Sequence, residues 1–320
     1  MRAQYPLEVS YLNRLTLRQL DVFLAVCQHR SYSKAAQQLA LTQPAVSSQI
    51  RSLEDVVGQA LFDYLGKQLF LTSAGELMQR AARDLKQRLV HLEIELTELH
   101  GRLQGSLNIA IESSAEQLLP SYINQFCLQH PDVNISLHVV NHQRLLERLA
   151  DNLDDLAIMT QVPEGRALSY TPFAEHQLLV VASPNHPLTQ QSESHGISLI
   201  QLLEHPLLLR EPGSGSRQIF ESFCRQQSCV IQYVRQVGSN LAIRQCLLNG
   251  DGCAVLPAAL VAEDISTGKL RELAVDGFPI RRSWCAVYPK GKHLNPLTKA
   301  FYELLQTGGN KLSVPATSKA

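Results

Sequence analysis

Residues 31–57 read SYSKAAQQLALTQPAVSSQIRSLEDVV, which predicts two short helices joined by a tight turn. Ser33 is placed to cap the first helix, and Pro44 falls in the first turn of the second, where a missing N–H costs little. Apolar side chains recur at helical spacing along the second helix, at Val46, Ile50, Leu53 and Val57. This spacing predicts that they pack inward and leave the polar side chains outside.

The outward face of the second helix carries short polar side chains and amides. Such side chains let a helix approach base edges, and Gln can pair with adenine while Arg pairs with guanine or phosphate. We therefore predict a DNA-reading face in the major groove, although an ordinary surface hairpin of helices would show the same local pattern. The predicted DNA-contacting residues are Ser33, Thr42, Gln43, Pro44, Ala45, Ser47, Ser48, Arg51 and Lys67.

Two short apolar stretches follow in residues 61–72, on either side of a Gly66-Lys67 turn. They predict the β-hairpin of a winged helix-turn-helix, with Lys67 at the tip facing a phosphate. Thr72 and Ser73 then cap a long helix.

Apolar residues along that long helix step by alternating intervals of four and three, at Met78, Ala82, Leu85, Leu89, Leu92, Leu96, Leu99 and Leu103. The spacing predicts a coiled-coil seam, because charges fill the other positions; one face of a buried bundle is the alternative. The predicted dimerisation residues are Leu85, Leu89, Leu92, Leu96, Leu99 and Leu103.

A set of spaced positions near the N-terminus forms a distinctive pattern, made up of Leu17, Leu20, Phe23, Ser31, Ala35, Ala36, Leu39, the run 42–47, Ile50, Leu53, Glu54, Gly58, Leu61, Phe62, Leu71, Thr72, Ala74 and Gly75. By this pattern, residues 15–80 resemble the N-terminal domain of LysR-type transcriptional regulators. The sequence departs from the family at Tyr64, where Arg is frequent, and in a wing that is less basic than usual. The departures predict weaker phosphate anchoring by the wing.

Composition fits a regulator that binds DNA locally. The 320 residues predict two or three domains, and a hydrophobic content of 45% is enough for real cores. The formal net charge is zero, so DNA affinity must be confined to one region. Residues 1–75 hold seven Lys and Arg against five Asp and Glu, a small surplus that predicts binding as a dimer or larger assembly. With no apolar stretch long enough to span a membrane and no secretion signal, we expect a cytoplasmic chain.

The seven cysteines form no Cys-x-x-Cys pair and no His/Cys cluster in the sequence, which argues against a zinc site. Free, mostly buried thiols are the default expectation for a cytoplasmic chain. Cys224 and Cys229, five residues apart, are the one spacing that suggests a redox switch.

From about residue 105 the sequence alternates strand-like and amphipathic stretches, the α/β pattern. The predicted strands cover 106–111, 133–140, 156–160, 178–182, 207–210, 232–236, 253–256 and 283–288, and the predicted helices cover 115–129, 143–152, 217–227, 241–248 and 295–306. The two sets predict two lobes with chain crossings and a ligand cleft between them.

Five runs in this half form a second pattern, at 145–152, 154–159, 163–165, 186–188 and 209–217. By these runs it resembles the LysR effector-binding domain, which has a two-lobed, periplasmic-binding-protein-like (type 2) fold. Within the family it is most similar to regulators of Calvin-cycle operons and their relatives, and sulfur- and anion-sensing regulators carry similar runs.

Serine-bearing helix starts mark the expected cleft, independently of any family. Each lies between a predicted strand and a helix and offers free backbone N–H groups, which would favour an anion where they converge. The alternative is that these residues only cap their helices. The loop 213–217 is the strongest candidate, with Arg217 placed to pair with carboxylate or phosphate. The predicted effector-binding residues are Ser113, Ser114, Gln161, Ser214, Ser216, Arg217, Ser239 and Asn240.

No enzyme motif accompanies these features. The sequence lacks a Gly-x-Ser-x-Gly elbow, a phosphate-binding Gly-rich loop ending in Lys and Ser or Thr, and a His-Glu-x-x-His helix, so we expect neither catalysis nor a bound cofactor beyond a non-covalent effector. A DNA-free solute-binding protein would have no use for residues 15–75. A cysteine-based redox regulator of the same fold remains an alternative.

The resemblance implies an organisation and a set of partners. We expect a winged helix-turn-helix domain at 1–75, a coiled-coil linker helix at 76–104, an effector domain at 105–310 and a tail at 311–320. Lobe I of the effector domain would cover about 105–162 and 280–310, and lobe II about 163–279. The family implies a homotetramer, a dimer of dimers, that binds double-stranded operator DNA, contacts RNA polymerase, needs no membrane, and activates or represses according to a small-molecule effector.

Overall fold

A computed structural model of the chain describes residues 11–66, 68–99, 102–194, 196–250 and 252–308. The chain divides into two compact units, with the division after Leu92. Residues 1–10 of the expected winged helix-turn-helix domain and the expected tail at 311–320 lie outside the described residues. None of the helices in the described ranges is both long and apolar enough to cross a bilayer.

The first unit is a winged helix-turn-helix, as the sequence predicts. After a 3₁₀ turn (Tyr11–Arg14) its elements are α1 (Leu17–His29), α2 (Tyr32–Gln38), α3 (Gln43–Val57), β1 (Phe62–Leu65), β2 (Gln68–Leu71) and α4 (Ser73–Glu98). The apolar sides of α1, α2 and α3 form one core, which includes Phe23, Ala35 and Ile50. Strands β1 and β2 pair antiparallel, with Leu65 opposite Gln68, and form the wing.

The cap of α2 differs from the prediction. Ser31 is the N-cap, with an extended backbone and an Oγ that accepts a hydrogen bond from the Lys34 N–H at 3.3 Å. Ser33 lies one residue inside the helix and is exposed. A capping residue needs non-helical backbone angles, which Ser31 has and a residue within α2 does not.

Helix α4 starts where the sequence predicts and ends earlier than the seam. The Thr72 Oγ1 accepts from the Gly75 N–H at 3.0 Å, so Thr72 caps the helix. The helix ends at Glu98, so Leu99 lies in the following turn and Leu103 lies outside the helix. The chain must leave the helix there because it enters the next strand at Gly105.

The second unit is a mixed α/β domain built on one sheet. Its elements are β3 (Gly105–Glu112), a 3₁₀ turn (Ser113–Ala115), α5 (Leu119–Gln129), β4 (Val133–Val140), α6 (His142–Ala150), β5 (Leu156–Met159), β6 (Leu168–Ala182), α7 (Pro187–Ser194), α8 (Leu199–Leu203), β7 (Leu207–Leu209), α9 (Gly215–Gln226), β8 (Val234–Gln236), α10 (Asn240–Leu248), β9 (Cys253–Pro257), α11 (Ala258–Ser266), β10 (Arg271–Glu272), β11 (Ile280–Pro289) and α12 (Pro296–Gly308).

The strand order β4-β3-β5-β11-β6-β9-β7-β8 divides this sheet into two lobes, with β10 paired to β6. Strands β3, β4 and β5 are parallel in lobe I, and β7, β8 and β9 are parallel in lobe II. The 15-residue β6 pairs with β11 from Leu168 to Leu178 and with β9 from Leu178 to Ala182, so it runs from one lobe into the other. Separate buried clusters fill the two lobes.

Several elements of this unit were not predicted from the sequence. Helices α7, α8 and α11 and strand β10 have no counterpart among the predicted elements, and β6 starts ten residues before the predicted strand at 178–182. The early part of β6 carries polar and half-exposed side chains, because it lies in the crossing between the lobes, so it lacks the apolar run that marks its buried end.

Candidate DNA-reading face and effector cleft

Helix α3 presents the polar face that the sequence predicts. Its inner side chains Val46, Ile50 and Leu53 are at most 1% exposed. Gln43 and Arg51 are exposed on the outside. A face of this kind fits a major groove, because its polar groups are free to meet base edges.

The remaining predicted DNA-contacting residues have mixed positions. Thr42 is the exposed N-cap of α3, with its Oγ1 accepting from the Ala45 N–H at 3.4 Å. Pro44 occupies the first turn of α3. Exposed residues of this set are Ser33, Thr42, Gln43, Pro44, Ser48 and Arg51, half-buried ones are Ala45 and Ser47, and Lys67 lies outside the described residues.

Two polar contacts that sequence reasoning missed hold α3 in place. Gln19 of α1 donates from Nε2 to the Ser52 Oγ at 3.1 Å. Glu54 of α3 accepts from the Leu61 N–H at 2.8 Å, which ties the helix to the wing. The signal for the first was present, because Gln19 closes a capping box with Thr16 at the start of α1.

The predicted seam of α4 is exposed in the single chain. Leu85 is 50% exposed, Leu92 is 43% exposed and Leu96 is 51% exposed, and Leu89 is half-buried. Nearer the start of the helix, Met78 and Ala82 pack into the core of the first unit instead. A row of exposed leucines on one face of a helix is a surface that association would cover.

In the second unit a cleft of about 330 Å³ opens between the two lobes. Four separate parts of the chain supply its walls: the turn after β3, the end of β4, the residues after β7 and the start of α10. The lining residues are Ser113, Glu116, Val139, Val140, Asn141, Arg210, Glu211, Gly238, Ser239, Asn240 and Leu241.

Arg210 supplies the positive charge of this cleft, and sequence reasoning missed it. Its side chain is 5% exposed. Nη1 donates to the Ser113 Oγ at 2.9 Å, and Nε and Nη2 donate to the two carboxylate oxygens of Glu211 at 2.9 and 3.0 Å. Ser113 belongs to lobe I and Arg210 to lobe II, so the guanidinium joins the lobes.

Arg217, the predicted ligand arginine, is used elsewhere. Its Nε donates to the Glu221 Oε1 at 2.6 Å, one turn along α9, and its Nη1 donates to the backbone oxygen of Arg210 at 2.8 Å. It is not among the described residues that line the cleft. The prediction of Arg217 as a cleft residue is therefore not supported, because an acceptor at i+4 holds the side chain along its own helix.

Ser239 and Asn240, two of the predicted effector residues, lie at the start of α10 and line the cleft. Ser239 caps the helix, with its Oγ accepting from the Ala242 N–H at 3.0 Å. Asn240 is 7% exposed, and its side-chain oxygen and nitrogen are both buried without a hydrogen-bond partner among the described residues. Buried amides are ordinarily bonded, so an unpartnered one on a cleft wall points to a ligand or a water.

The other predicted effector residues lie beside the cleft rather than on its walls. Ser214 and Ser216 are buried at the start of α9, and the Ser216 Oγ has no partner within the described residues. Ser114 and Gln161 are half-buried. None of these four is among the described lining residues.

A buried carboxylate fixes the start of α9 against lobe I. Glu112 accepts from the Thr160 Oγ1 at 2.9 Å and contacts the His142 Nδ1 at 2.7 Å. It also lies against Gly215, where an added Cβ would be 2.7 Å from the Glu112 Oε2. A glycine is required there, because any side chain would collide with the carboxylate.

The cysteine pair lacks the features of a redox switch. Cys224 is 1% exposed, and burial raises the pKa of its thiol to about 12. Cys229 is half-buried, five residues on. A sensor cysteine needs an accessible thiolate, so Cys224 does not support the redox alternative.

Sequence comparison agrees with both halves of the molecule. Residues 17–76 match the model of the bacterial regulatory helix-turn-helix protein, lysR family, and residues 100–309 match the LysR substrate binding domain. The RuBisCO operon transcriptional regulator of Acidithiobacillus ferrooxidans is 42% identical over 294 residues, which cover 92% of this chain and 94% of that protein. The HTH-type transcriptional activator CmpR of Synechocystis is 33% identical over 303 residues, 95% of this chain and 99% of that protein.

A solved structure matches the second unit. The regulatory domain of Synechocystis PCC6803 CcmR, in complex with 2-PG, is 31% identical, with a TM-score of 0.61. The match covers 66% of this chain and 100% of that chain. The first unit has an exposed helix suited to DNA and a wing, the second has two lobes around a polar cleft, and the relatives are named as regulators rather than enzymes. The chain therefore belongs to the LysR family of bacterial transcriptional regulators.

Proposed function

We propose that this regulator controls a carbon-fixation operon and that its effector carries a phosphate or similar anionic group. The operon follows from relatives that are named as RuBisCO operon regulators and are 42% and 38% identical to this chain. The effector class follows from the cleft and from the CcmR regulatory domain, which was solved with 2-phosphoglycolate.

The observation that carries the proposal is the set of hydrogen-bond donors on the cleft walls. A buried guanidinium at Arg210, an unpartnered amide at Asn240 and the start of α10 all belong to the lining. Guanidinium forks and helix N-termini are the groups that bind phosphate and carboxylate best. Val139, Val140 and Leu241 add an apolar part to the wall, and the volume of about 330 Å³ limits the ligand to a compact molecule.

Self-association through α4 completes the proposed mechanism. Covering the exposed leucines from Leu85 to Leu96 in a coiled coil would pair two chains and bring two reading helices to one operator. Two such dimers would form the tetramer that the family implies, acting in the cytoplasm with RNA polymerase as a partner. A ligand regulates only if it favours one arrangement of the lobes over another.

Calorimetry on the full chain tests the effector class. We expect 2-phosphoglycolate to bind at least about tenfold more tightly than glycolate, because only the former offers a dianion to the guanidinium. Arg210→Gln should reduce affinity for 2-phosphoglycolate by about tenfold or more. Arg217→Gln is the matched control, and should change it by less than about threefold, since its partners lie on α9.

Equal affinity for glycolate and 2-phosphoglycolate would refute the phosphate class. A loss in Arg217→Gln without a loss in Arg210→Gln would move the site to the start of α9. Melting curves of both variants show whether either has lost its fold.

A further inference from the structure

The guanidinium that the proposed function assigns to the effector is already occupied. Arg210 gives two of its hydrogen bonds to both carboxylate oxygens of Glu211, at 2.9 and 3.0 Å. This two-point arrangement is also the one that an Arg side chain makes with a bound phosphate or carboxylate. An anionic ligand that takes this same two-point contact must therefore replace Glu211.

The charge of the cleft also opposes the binding of an anion while Glu211 holds Arg210. Among the described residues that line it, Arg210 is the only Arg or Lys, whereas Glu116 and Glu211 are both acidic. While Glu211 holds Arg210, a second anion meets a wall that carries more negative than positive charge. Like charges at short range in a partly buried site repel strongly.

The contacts of Glu211 favour the ionised form of its carboxyl group in the protein without ligand. Burial raises its pKa, but the hydrogen bond from Arg210, a bond from its own backbone and the Asn141 amide together lower the pKa below its usual value. Glu211 is therefore a carboxylate near neutral pH, and it contacts Asn141 of lobe I as well as Arg210 of lobe II.

The backbone on either side of Glu211 is fixed, while its side chain can reach solvent. The Ser214 N–H donates to the Glu211 backbone oxygen at 3.2 Å, and the Arg217 Nη1 holds the backbone oxygen of Arg210 at 2.8 Å. The Glu211 side chain is 25% exposed, against 5% for Arg210. Rotation of one side chain is enough to exchange the carboxylate for a ligand, with the guanidinium left in place.

We propose that Glu211 is an internal competitor for the effector, whose anionic group displaces its carboxylate from Arg210. The inference rests on the proposed function and names the residue that limits the affinity of the site. A ligand gains only the difference between its own bonds and those of Glu211, so the carboxylate lowers the affinity of every anion that takes its place by the same factor. Displacement also removes the contact between Glu211 and Asn141, which joins the two lobes, so ligand exchange is coupled to the contact between them.

The test compares two substitutions that remove the same charge from the same cleft. Glu211→Gln keeps the shape of the side chain but weakens its hold on Arg210. Glu116→Gln is the matched control, because Glu116 lines the same cleft from lobe I and is exposed, while Arg210 bonds to Glu211 and Ser113. Calorimetry with 2-phosphoglycolate on the full chain measures affinity for wild type and both variants.

We expect Glu211→Gln to bind 2-phosphoglycolate about five- to twentyfold more tightly than wild type, and Glu116→Gln to gain less than about threefold. The gain of Glu211→Gln should be about the same for glycolate, because an internal competitor lowers the affinity of every ligand that displaces it by one factor. Without ligand, Glu211→Gln should melt at a lower temperature, since a buried guanidinium has lost its counter-ion.

Four results would overturn the inference. Equal gains in the two variants would mean that only the overall charge of the cleft matters. Weaker binding by Glu211→Gln would mean that Glu211 positions Arg210 for the ligand. If neither wild type nor Glu211→Gln binds 2-phosphoglycolate, the proposed effector class fails and the inference fails with it, whereas binding by wild type without a gain in the variant removes the inference alone.

Discussion

The DNA-reading face and the effector cleft differ in how far apart in the sequence their residues lie. The reading face of α3 comes from one stretch of ten residues, 42–51, and a single helical period decides which of them point outward. The cleft takes its walls from four stretches between Ser113 and Leu241. A periodic pattern therefore specifies the first site, while only the folded sheet specifies the second.

The residues of the first site can be predicted from the sequence, whereas those of the second depend on where the strands end in the sheet. Along one helix, the side chain that a residue presents follows from its position in the turn. Across a sheet, a residue reaches a cleft only if its strand ends there, as β7 does just before Arg210.

The largest effect is expected from Leu92→Asp on the seam of α4. A charge at a seam position loses apolar burial in both chains and places a carboxylate in a dry interface. We expect a monomer in sedimentation at micromolar concentration and operator binding weakened by about a hundredfold or more, with the winged unit still folded.

Val90→Asp is the matched control for the seam. Val90 and Leu92 are each 43% exposed, but Val90 lies off the seam. It should remain dimeric. A dimeric Leu92→Asp protein would contradict the coiled-coil interpretation, and would show that helical spacing alone does not identify the dimer surface.

A second prediction concerns His176, which the fold rather than any local pattern buries. Its ring lies 4.7 Å from that of Trp284, its Nε2 is buried with no hydrogen-bond partner in the described part of the chain, and burial lowers its pKa to about 4. The unfolded chain takes up a proton near pH 6.5 and the folded chain does not, so stability is complete above that pH and falls as the pH drops toward 4. The expected loss between pH 7.5 and pH 5 is about 2 kcal/mol.

Urea unfolding at the two pH values measures this loss. His176→Phe keeps a ring but cannot titrate, so its stability should fall by about 2 kcal/mol less than that of wild type. His293→Phe, at a residue whose side chain is 78% exposed, is the control and should behave as wild type. An unchanged pH dependence in His176→Phe would contradict the assignment of the loss to His176.

Sequence reasoning predicted the first unit almost completely and the second unit in outline. Thr42, Pro44 and the Val46 to Leu53 stripe fixed α3, because caps and helical spacing are local signals. Of the cleft, Ser113, Ser239 and Asn240 were predicted, since each follows a strand-like run or opens a helix. Arg210 was missed in favour of Arg217, because nothing local distinguishes an arginine at the end of a strand from one that pairs with Glu221 along α9.

A third prediction concerns Gln43 on the DNA-reading face of α3. Gln43→Ala should cost about 1–3 kcal/mol on the cognate operator and much less on scrambled DNA, because a base contact is lost without a phosphate contact. Gln59→Ala, an exposed glutamine beyond the end of α3, should bind both DNAs as wild type. Equal losses on the two DNAs would assign Gln43 to the DNA backbone.

The smallest effect is expected at the cysteine pair. Since the pKa of the Cys224 thiol is raised to about 12 by burial, hydrogen peroxide should leave operator binding within about twofold of the untreated protein. Cys224→Ser and Cys229→Ser should respond in the same way as wild type. Peroxide sensitivity that either substitution removes would restore a redox role.

We propose that Arg210, in a cleft assembled from distant residues, couples the binding of an anionic ligand to the affinity of the protein for operator DNA. Fluorescence anisotropy tests it with operator DNA selected from random sequences by the wild-type protein, titrated with and without 2-phosphoglycolate. We predict that the ligand shifts the operator affinity of wild type and leaves that of Arg210→Gln unchanged. An equal shift in both proteins, or no shift in a wild-type protein that calorimetry finds bound, would contradict the claim.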